Sequence, residues 1–184
     1  MRKTIVVLFV AVLAIGAVIG ASAYTTGSVS RSTSVNVVSD DVGLIGLSDG
    51  TSGDLVTLDS SGQLSIDFTA GGASGVITDA TFTLGDTADP LNKMAFNLTN
   101  NGPTARDLTI EYTGTTGAAG DGTVNIEFTF YDSTGTSVAT VTDETTSATI
   151  TGAASGATYT AVISIDTTGL TTSADLSGTL KVSA

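Results

Sequence analysis

The chain of 184 residues contains no cysteine, no histidine and no tryptophan. A fold without cysteine has no disulfides, so packing and strand pairing must stabilise it. The absence of imidazole and thiolate groups also excludes a Ser-His-Asp triad, a Cys-His pair and an ordinary zinc site. Only carboxylate chemistry remains for catalysis, and the sequence predicts a protein that is not an enzyme and has no catalytic residues.

Two glutamates, Glu111 and Glu127, are the acids that a carboxylate mechanism would use. A glycosidase places two carboxyl groups about 5–9 Å apart in a cleft. Both glutamates instead alternate with apolar neighbours, which predicts that they lie on the solvent faces of strands. We therefore interpret them as solvated surface side chains.

Basic residues are also scarce, with 6 Lys and Arg against 18 Asp and Glu and a formal net charge of −12. Nucleic acids and anionic membrane surfaces bind clustered positive charge, so this composition excludes both as partners. An acidic surface stays hydrated at high ionic strength, where repulsion is screened. The composition fits either a halophilic protein or an ordinary acidic extracellular protein.

The first 23 residues have the pattern of an export signal. Arg2 and Lys3 precede an uncharged apolar run at residues 5–19, and an Ala-Ser-Ala tripeptide follows. This pattern predicts cleavage between Ala23 and Tyr24, and a secreted protein outside the cell or at its surface with no membrane attachment after cleavage. The alternative is an uncleaved anchor, because 19 uncharged residues approach the roughly 20 that span a bilayer.

Cleavage would leave residues 24–184, with 18 acidic and 4 basic residues and a net charge of −14. That length predicts one domain with its own core. The 34 threonines of the full chain favour strands, and its 22 glycines favour turns. Apolar residues alternate with polar ones in runs at 34–37, 64–68, 80–84, 94–98, 108–112, 124–130, 159–165 and 176–182.

This alternation predicts an antiparallel β-sandwich of seven to nine strands, in a jelly-roll or immunoglobulin-like variant. The turn clusters between the strands contain several acids. A calcium site is one interpretation of four of them, because carboxylates on glycine-containing loops are ligands for this cation. None matches an EF-hand spacing, and we predict no cofactor; the four acids are Asp49, Asp54, Asp86 and Asp89.

Asn97 begins the sequon Asn-Leu-Thr, a possible glycan acceptor in an exported protein. It lies within a predicted strand, with its side chain on the outward face. This geometry permits glycosylation without requiring it.

Residues 24–38 form a polar first strand in this prediction. Val29, Arg31, Val35 and Val37 share one parity, so Arg31 points the same way as the valines if the strand is continuous. One interpretation of Arg31 is an exposed charge on a frayed arm. The other is an ion pair with an acid of a neighbouring chain, whose sheet edge this strand extends.

The segment 20–47 contains Arg31-x-x-x-Val35-x-Val37, then Asp40 and a Leu-Ile-Gly-Leu step. It resembles a haloarchaeal family of secreted proteins of unknown function. More distantly, the order of signal, polar strand and small sandwich is similar to the TasA and camelysin matrix proteins and to archaeal bundling pilins. Camelysins are classed as metallopeptidases, an activity that does not transfer to a chain without histidine.

The fibre-forming relatives imply that the first strand of one subunit completes the sandwich of the next. Residues 24–38 would then be the donor strand of a homopolymer, with Tyr24, Val29, Arg31, Val35 and Val37 at the subunit interface. The resemblance thus implies a structural subunit of a cell-surface filament or matrix. The alternative is a monomeric or membrane-tethered surface module that binds a glycan, an ion or a protein.

Overall fold

The computed structural model describes residues 39–70, 75–114, 122–171 and 174–184. These residues form antiparallel β-sheets and two short 3-10 turns, which confirms the predicted all-β sandwich. They hold eleven strands, and the alternation predicts seven to nine. In chain order the elements are the 3-10 turn Asp40–Val42, β1 Ile45–Asp49, the 3-10 turn Gly53–Leu55, β2 Val56–Leu58, β3 Leu64–Ile66, β4 Thr81–Leu84, β5 Phe96–Asn100, β6 Arg106–Gly114, β7 Ile126–Tyr131, β8 Ser137–Thr142, β9 Ser147–Ala153, β10 Thr158–Asp166 and β11 Gly178–Ser183.

The first layer is a six-stranded sheet in the order β1-β5-β10-β7-β8, with β4 paired to β10 beside β5. One edge of β10 is shared, since its residues 158–161 pair with β5 and its residues 163–166 pair with β4. The loop 85–95 joins these two short strands. Gly85 begins this loop with φ +90°, a backbone conformation that glycine adopts without a Cβ clash.

The second layer consists of two separate pieces. One is a three-stranded sheet in the order β11-β6-β9, and the other is the two-stranded β2-β3 hairpin. Residues of both pieces join the core cluster of the six-stranded sheet. The second layer is therefore divided between β3 and β11.

The core is built by the period-two alternation that the sequence predicts. In β6, Leu108, Ile110 and Tyr112 are buried, and the residues between them are partly exposed. The rings of Phe96 and Phe130 are fully buried and meet edge to face, with centroids 5.8 Å apart. Such burial from two facing layers supplies most of the stabilisation of a sandwich without disulfides.

A recurring Asp-x-Ser/Thr turn ends four strands. The carboxylate accepts a hydrogen bond from the backbone N–H two residues later and, in three of the turns, from the hydroxyl of that residue, as in an Asx turn. In Asp132 these distances are 2.8 Å and 2.6 Å to Thr134. These bonds favour the ionised form and lower the pKa of each carboxyl; the four residues are Asp59, Asp67, Asp132 and Asp166.

These turns predict a loss of stability in acid. A carboxyl whose pKa is lowered in the folded state stabilises the fold above its unfolded pKa of about 4, and this stabilisation is lost as the pH falls through the folded-state pKa. We expect the urea midpoint of the protein to fall between pH 4 and pH 2, by more than that of a variant carrying Asp59→Asn, Asp132→Asn and Asp166→Asn. The comparison is needed because protonation also relieves repulsion among the other acids. Equal acid sensitivity of the two proteins would contradict the prediction.

Candidate functional site

An open apolar cleft of about 770 Å³ lies between the two layers. Its floor is formed by Ile126 and Phe128 of β7 and by Ile163 and Ile165 of β10. Its two sides are the pieces of the second layer. Ile66 and the turn that follows β3 form one side, while β11 and the residues just before it form the other.

Two strand edges border this cleft. β11 pairs with β6 along one edge, and β3 pairs with β2 along one edge. Within the described ranges, neither strand pairs with another strand on its other edge, although the backbone N–H of Leu64 in β3 donates to the Asp40 carboxylate at 2.9 Å. Unpaired backbone N–H and C=O groups along such edges are a template for another strand. An apolar floor between two free edges is suited to an extended chain.

Apolar side chains are exposed close to the cleft. Ile77, which lines it, is 75% exposed, and Val76 beside it is also exposed. Phe68 lines the cleft and meets Phe82 of β4 edge to face, although Phe82 is 40% exposed. A cluster of exposed apolar groups at a groove is typical of an interaction surface.

The cleft wall near Ile77 is held by Thr167. Its buried hydroxyl donates to the carbonyl oxygen of Ile77 at 2.6 Å and accepts a hydrogen bond from the backbone N–H of Ala80 at 3.0 Å. Asp79 beside them has φ +53° and accepts a hydrogen bond from the backbone N–H of Gly169. These bonds tie the exposed apolar residues to the end of β10.

Two polar side chains line the cleft in defined protonation states. The Tyr112 hydroxyl donates to the carbonyl oxygen of Leu176 at 3.0 Å, and burial, followed by the nearby charges of Asp143 and Asp175, raises its pKa to about 12. Tyr112 is therefore neutral at physiological pH. The carboxylate of Asp67 lies at the rim, where the Thr69 hydroxyl and backbone N–H lower its pKa and keep it charged.

The predicted cleavage site and subunit interface lie outside the described residues. This applies to Ala23 and to the predicted first strand at 24–38, and the interface residues concerned are Tyr24, Val29, Arg31, Val35 and Val37. These assignments stay predictions.

The four acids considered as calcium ligands are individually engaged or exposed. Asp86 forms an ion pair with Lys93 at 2.9 Å, and Asp89 accepts a hydrogen bond from the Asn92 amide at 2.7 Å. Asp49 ends β1, and Asp54 lies in a 3-10 turn. The described part of the chain contains no group of three acidic side chains that could hold a metal ion.

The structure places the two strand glutamates in different layers. Glu111 of β6 pairs with Lys181 of β11 at 3.1 Å, and Glu127 of β7 accepts a hydrogen bond from the Thr129 hydroxyl. Each alternates with buried residues, so both point away from the core. Asn97 of β5 donates from its amide to the carbonyl oxygen of Asp49 at 3.2 Å.

Comparison with known proteins adds no family assignment. No protein-family model matches the chain, and no curated protein is significantly similar to it. Across residues 39–184, apart from the undescribed gaps, the chain forms no apolar helix of membrane-spanning length.

Proposed function

We propose that this protein is an exported structural subunit of a cell-surface filament or matrix, in which residues 24–38 of one copy form a strand in the cleft of the next. The observation that supports this most directly is the apolar cleft between the free edges of β3 and β11. One extended segment would hydrogen-bond to both edges and cover the apolar side chains that are exposed at the cleft, Val76 and Ile77.

Insertion of a strand also completes the second layer. Neighbouring strands lie about 4.8 Å apart, so one strand joins the hairpin to the three-stranded sheet where β3 and β11 are roughly 10 Å apart. The second layer would then be one continuous sheet, β2-β3-donor-β11-β6-β9, opposite the first layer. Closing the gap with backbone hydrogen bonds on both sides favours a strand over a compact ligand as the occupant.

The charges of the two parts are complementary. The first 38 residues contain no acid, and Arg31 is the only charged residue of segment 24–38. Residues 39–184 contain all 18 acids and 3 basic residues, a net charge of −15. The segment is therefore attracted to the domain surface at short range, whereas two whole copies, each with a net charge of −14, repel one another until salt screens their charges.

A contact of this kind propagates. Each copy carries one donor segment and one cleft, which are different surfaces, so the contact is heterologous. Every addition leaves a free segment at one end and a free cleft at the other. Repetition of such a contact without closure builds a filament.

The position of Asp40 beside the β2-β3 hairpin supports a second function. The backbone N–H of Asp40 donates to Gly62 at the tip of the β2-β3 hairpin at 2.8 Å. The cleft lies at the other end of β3, which is about 20 Å from Gly62 because six extended residues separate the two points. A segment of 15 extended residues spans about 50 Å. Residues 24–38 could therefore reach the cleft of their own chain. A protein closed in this way would be a monomeric or membrane-tethered surface module that binds a ligand elsewhere.

Deletion of residues 24–34 separates the two functions. We expect the secreted protein to form filaments as its concentration rises, and the deletion variant to stay monomeric, as measured by sedimentation and electron microscopy. Two controls keep the segment at full length. Replacing Val29, Val35 and Val37 by serine should also prevent assembly, whereas replacing Ser30, Ser32 and Ser34 by alanine should not. An intact chain that stays monomeric at millimolar concentration in high salt would contradict the filament and favour the closed module.

A further inference from the structure

We infer that Asp67, at the rim of the cleft, receives Arg31 of the incoming strand from a neighbouring copy, and that this ion pair selects the register of the strand. The inference rests on the proposed function and adds to it the residue that recognises the donor. Three observations support it: Asp67 lies at the rim of the cleft, its Oδ2 accepts no hydrogen bond among the described residues, and Arg31 shares the parity of the donor valines.

Asp67 lies immediately after Ile66, at the end of β3 that borders the cleft. Thr69 donates from its backbone N–H at 2.8 Å and from its hydroxyl at 2.6 Å, and both bonds go to Oδ1. In the residues that the structure describes, Oδ2 accepts no hydrogen bond and no lysine or arginine pairs with this carboxylate. It is the one acid among the described lining residues of the cleft. Asp67 is thus a fixed negative charge with one oxygen available to a cation.

Arg31 has the parity of the valines, so a strand that places Val35 and Val37 on the apolar floor also directs Arg31 toward the cleft. A guanidinium does not stay on an apolar floor. Its long aliphatic stem lies along apolar surface while the charged end reaches a polar rim. Asp67 supplies such a partner, and a guanidinium is the cation that pairs most specifically with a carboxylate.

The valines of the donor strand determine which face of the strand lies on the floor of the cleft. They determine less well how far along the cleft the strand lies, so a further contact is needed to fix the register. A slip of one residue would turn the valines away from the floor, but a slip of two residues preserves the parity. Val29, Arg31, Thr33, Val35 and Val37 then exchange places along the cleft with little difference in buried area. A single charge pair at the rim distinguishes these registers, since each slip of two residues moves Arg31 about 7 Å further along the cleft from Asp67.

Disulfide trapping tests this contact directly, because the chain has no cysteine of its own. Two variants of the secreted protein, one with Arg31→Cys and one with Asp67→Cys, are mixed during assembly and oxidised. We expect a covalent dimer on non-reducing gels. The double variant Arg31→Cys/Asp67→Cys should give a ladder of covalent oligomers. Asp59→Cys is the matched control, since Asp59 forms the same kind of turn with Ser61 at the other end of the hairpin, and it should not cross-link.

A charge exchange tests whether the pair contributes to assembly. Arg31→Asp and Asp67→Arg should each slow filament growth about tenfold, because each places like charges at the contact, and the double variant should recover most of the rate. The deficit of each single variant should shrink as salt screens the repulsion. Asp59→Arg should leave the rate unchanged. Both Asp59→Arg and Asp67→Arg lose an Asx turn, so similar melting temperatures of these two variants would show that the slower growth of Asp67→Arg comes from the contact and not from the fold.

The outcomes separate this inference from the proposed function. Absence of cross-linking together with absence of rescue would overturn the Arg31–Asp67 contact, even if deletion of residues 24–34 still abolishes filaments. A double cysteine variant that closes only within one chain would overturn the assignment to a neighbouring copy. Filaments formed by the deletion variant would overturn the proposed function itself.

Discussion

Replacing Asn100 by aspartate should lower the free energy of unfolding by roughly 3 kcal/mol or more, because it buries a carboxylate against carbonyl oxygens. Asn100 is the last residue of β5 and is completely buried. Its amide nitrogen lies 2.8–3.1 Å from the carbonyl oxygens of Thr104, Ala153 and Ala154. Its amide oxygen accepts a hydrogen bond from the backbone N–H of Gly102 at 3.0 Å.

These four contacts tie the turn between β5 and β6 to the turn between β9 and β10. A second oxygen in place of the amide nitrogen would face three acceptors and donate to none of them at neutral pH. For a domain whose total stability is about 5–15 kcal/mol, this change would populate the unfolded state strongly. Asn100 was not recognised from the sequence, where it reads as the first residue of an Asn-Asn-Gly-Pro turn.

Urea unfolding followed by circular dichroism measures the effect, and the neighbouring asparagine is the control. Asn101 is exposed and donates from its amide to a single carbonyl oxygen, that of Gly43, at 2.9 Å. Asn101→Asp should cost less than about 1 kcal/mol, because water solvates the new carboxylate. Similar losses in the two variants would show that the buried network does not have the role assigned to it.

Truncation of Phe130 to alanine should cost about 3–5 kcal/mol, the range for removing a fully buried aromatic ring from a core. Phe130 lies on β7 with no exposed surface, and its ring meets that of Phe96 at an interplanar angle of 77°. Phe96 lies on β5, two strands away in the same sheet. The cavity would therefore open at the centre of the six-stranded sheet, where surrounding strands cannot collapse to fill it.

Phe82 offers a control with the same ring geometry and different burial. It meets Phe68 at 5.8 Å and 80°, nearly the arrangement of the Phe96–Phe130 pair, but 40% of Phe82 is exposed. Phe82→Ala should cost less than half as much as Phe130→Ala, because less apolar surface is returned to water. Thermal unfolding of both variants decides this, and equal losses would indicate that ring contact outweighs burial.

The strands with clear alternation were predictable because alternate burial is a local property of an extended chain. Leu108, Ile110 and Tyr112 of β6 illustrate this, since each is separated from the next by one polar residue. In β8 the contrast between the apolar and the polar face of the strand is weak. Val138 is partly exposed while Ala139 and Val141 are buried, so apolar residues occupy both faces and the strand has no distinct pattern.

The candidate site was less predictable than the fold, because no local pattern describes a gap. The cleft depends on Ile66 of β3 lying opposite β11 and on Ile163 of β10 lying beneath both. Ile66 is about a hundred positions from Ile163 and from β11 in sequence, and their proximity depends on strand order. The sequence signals for the cleft would have been Phe68 and Ile77, because they are apolar residues beside a glycine-rich turn.

By itself, the sequence determined the all-β class, the absence of thiol and imidazole chemistry, and the contrast between an acid-free segment at 24–38 and an acidic domain. These follow from composition and from period-two alternation, which act locally along the chain. Only the tertiary structure decided that the second layer is divided between β3 and β11, and that Asp67 is the acid at the rim of that gap. The physical reason is that strand order is set by the total burial of distant residues, to which each local pattern contributes only a part.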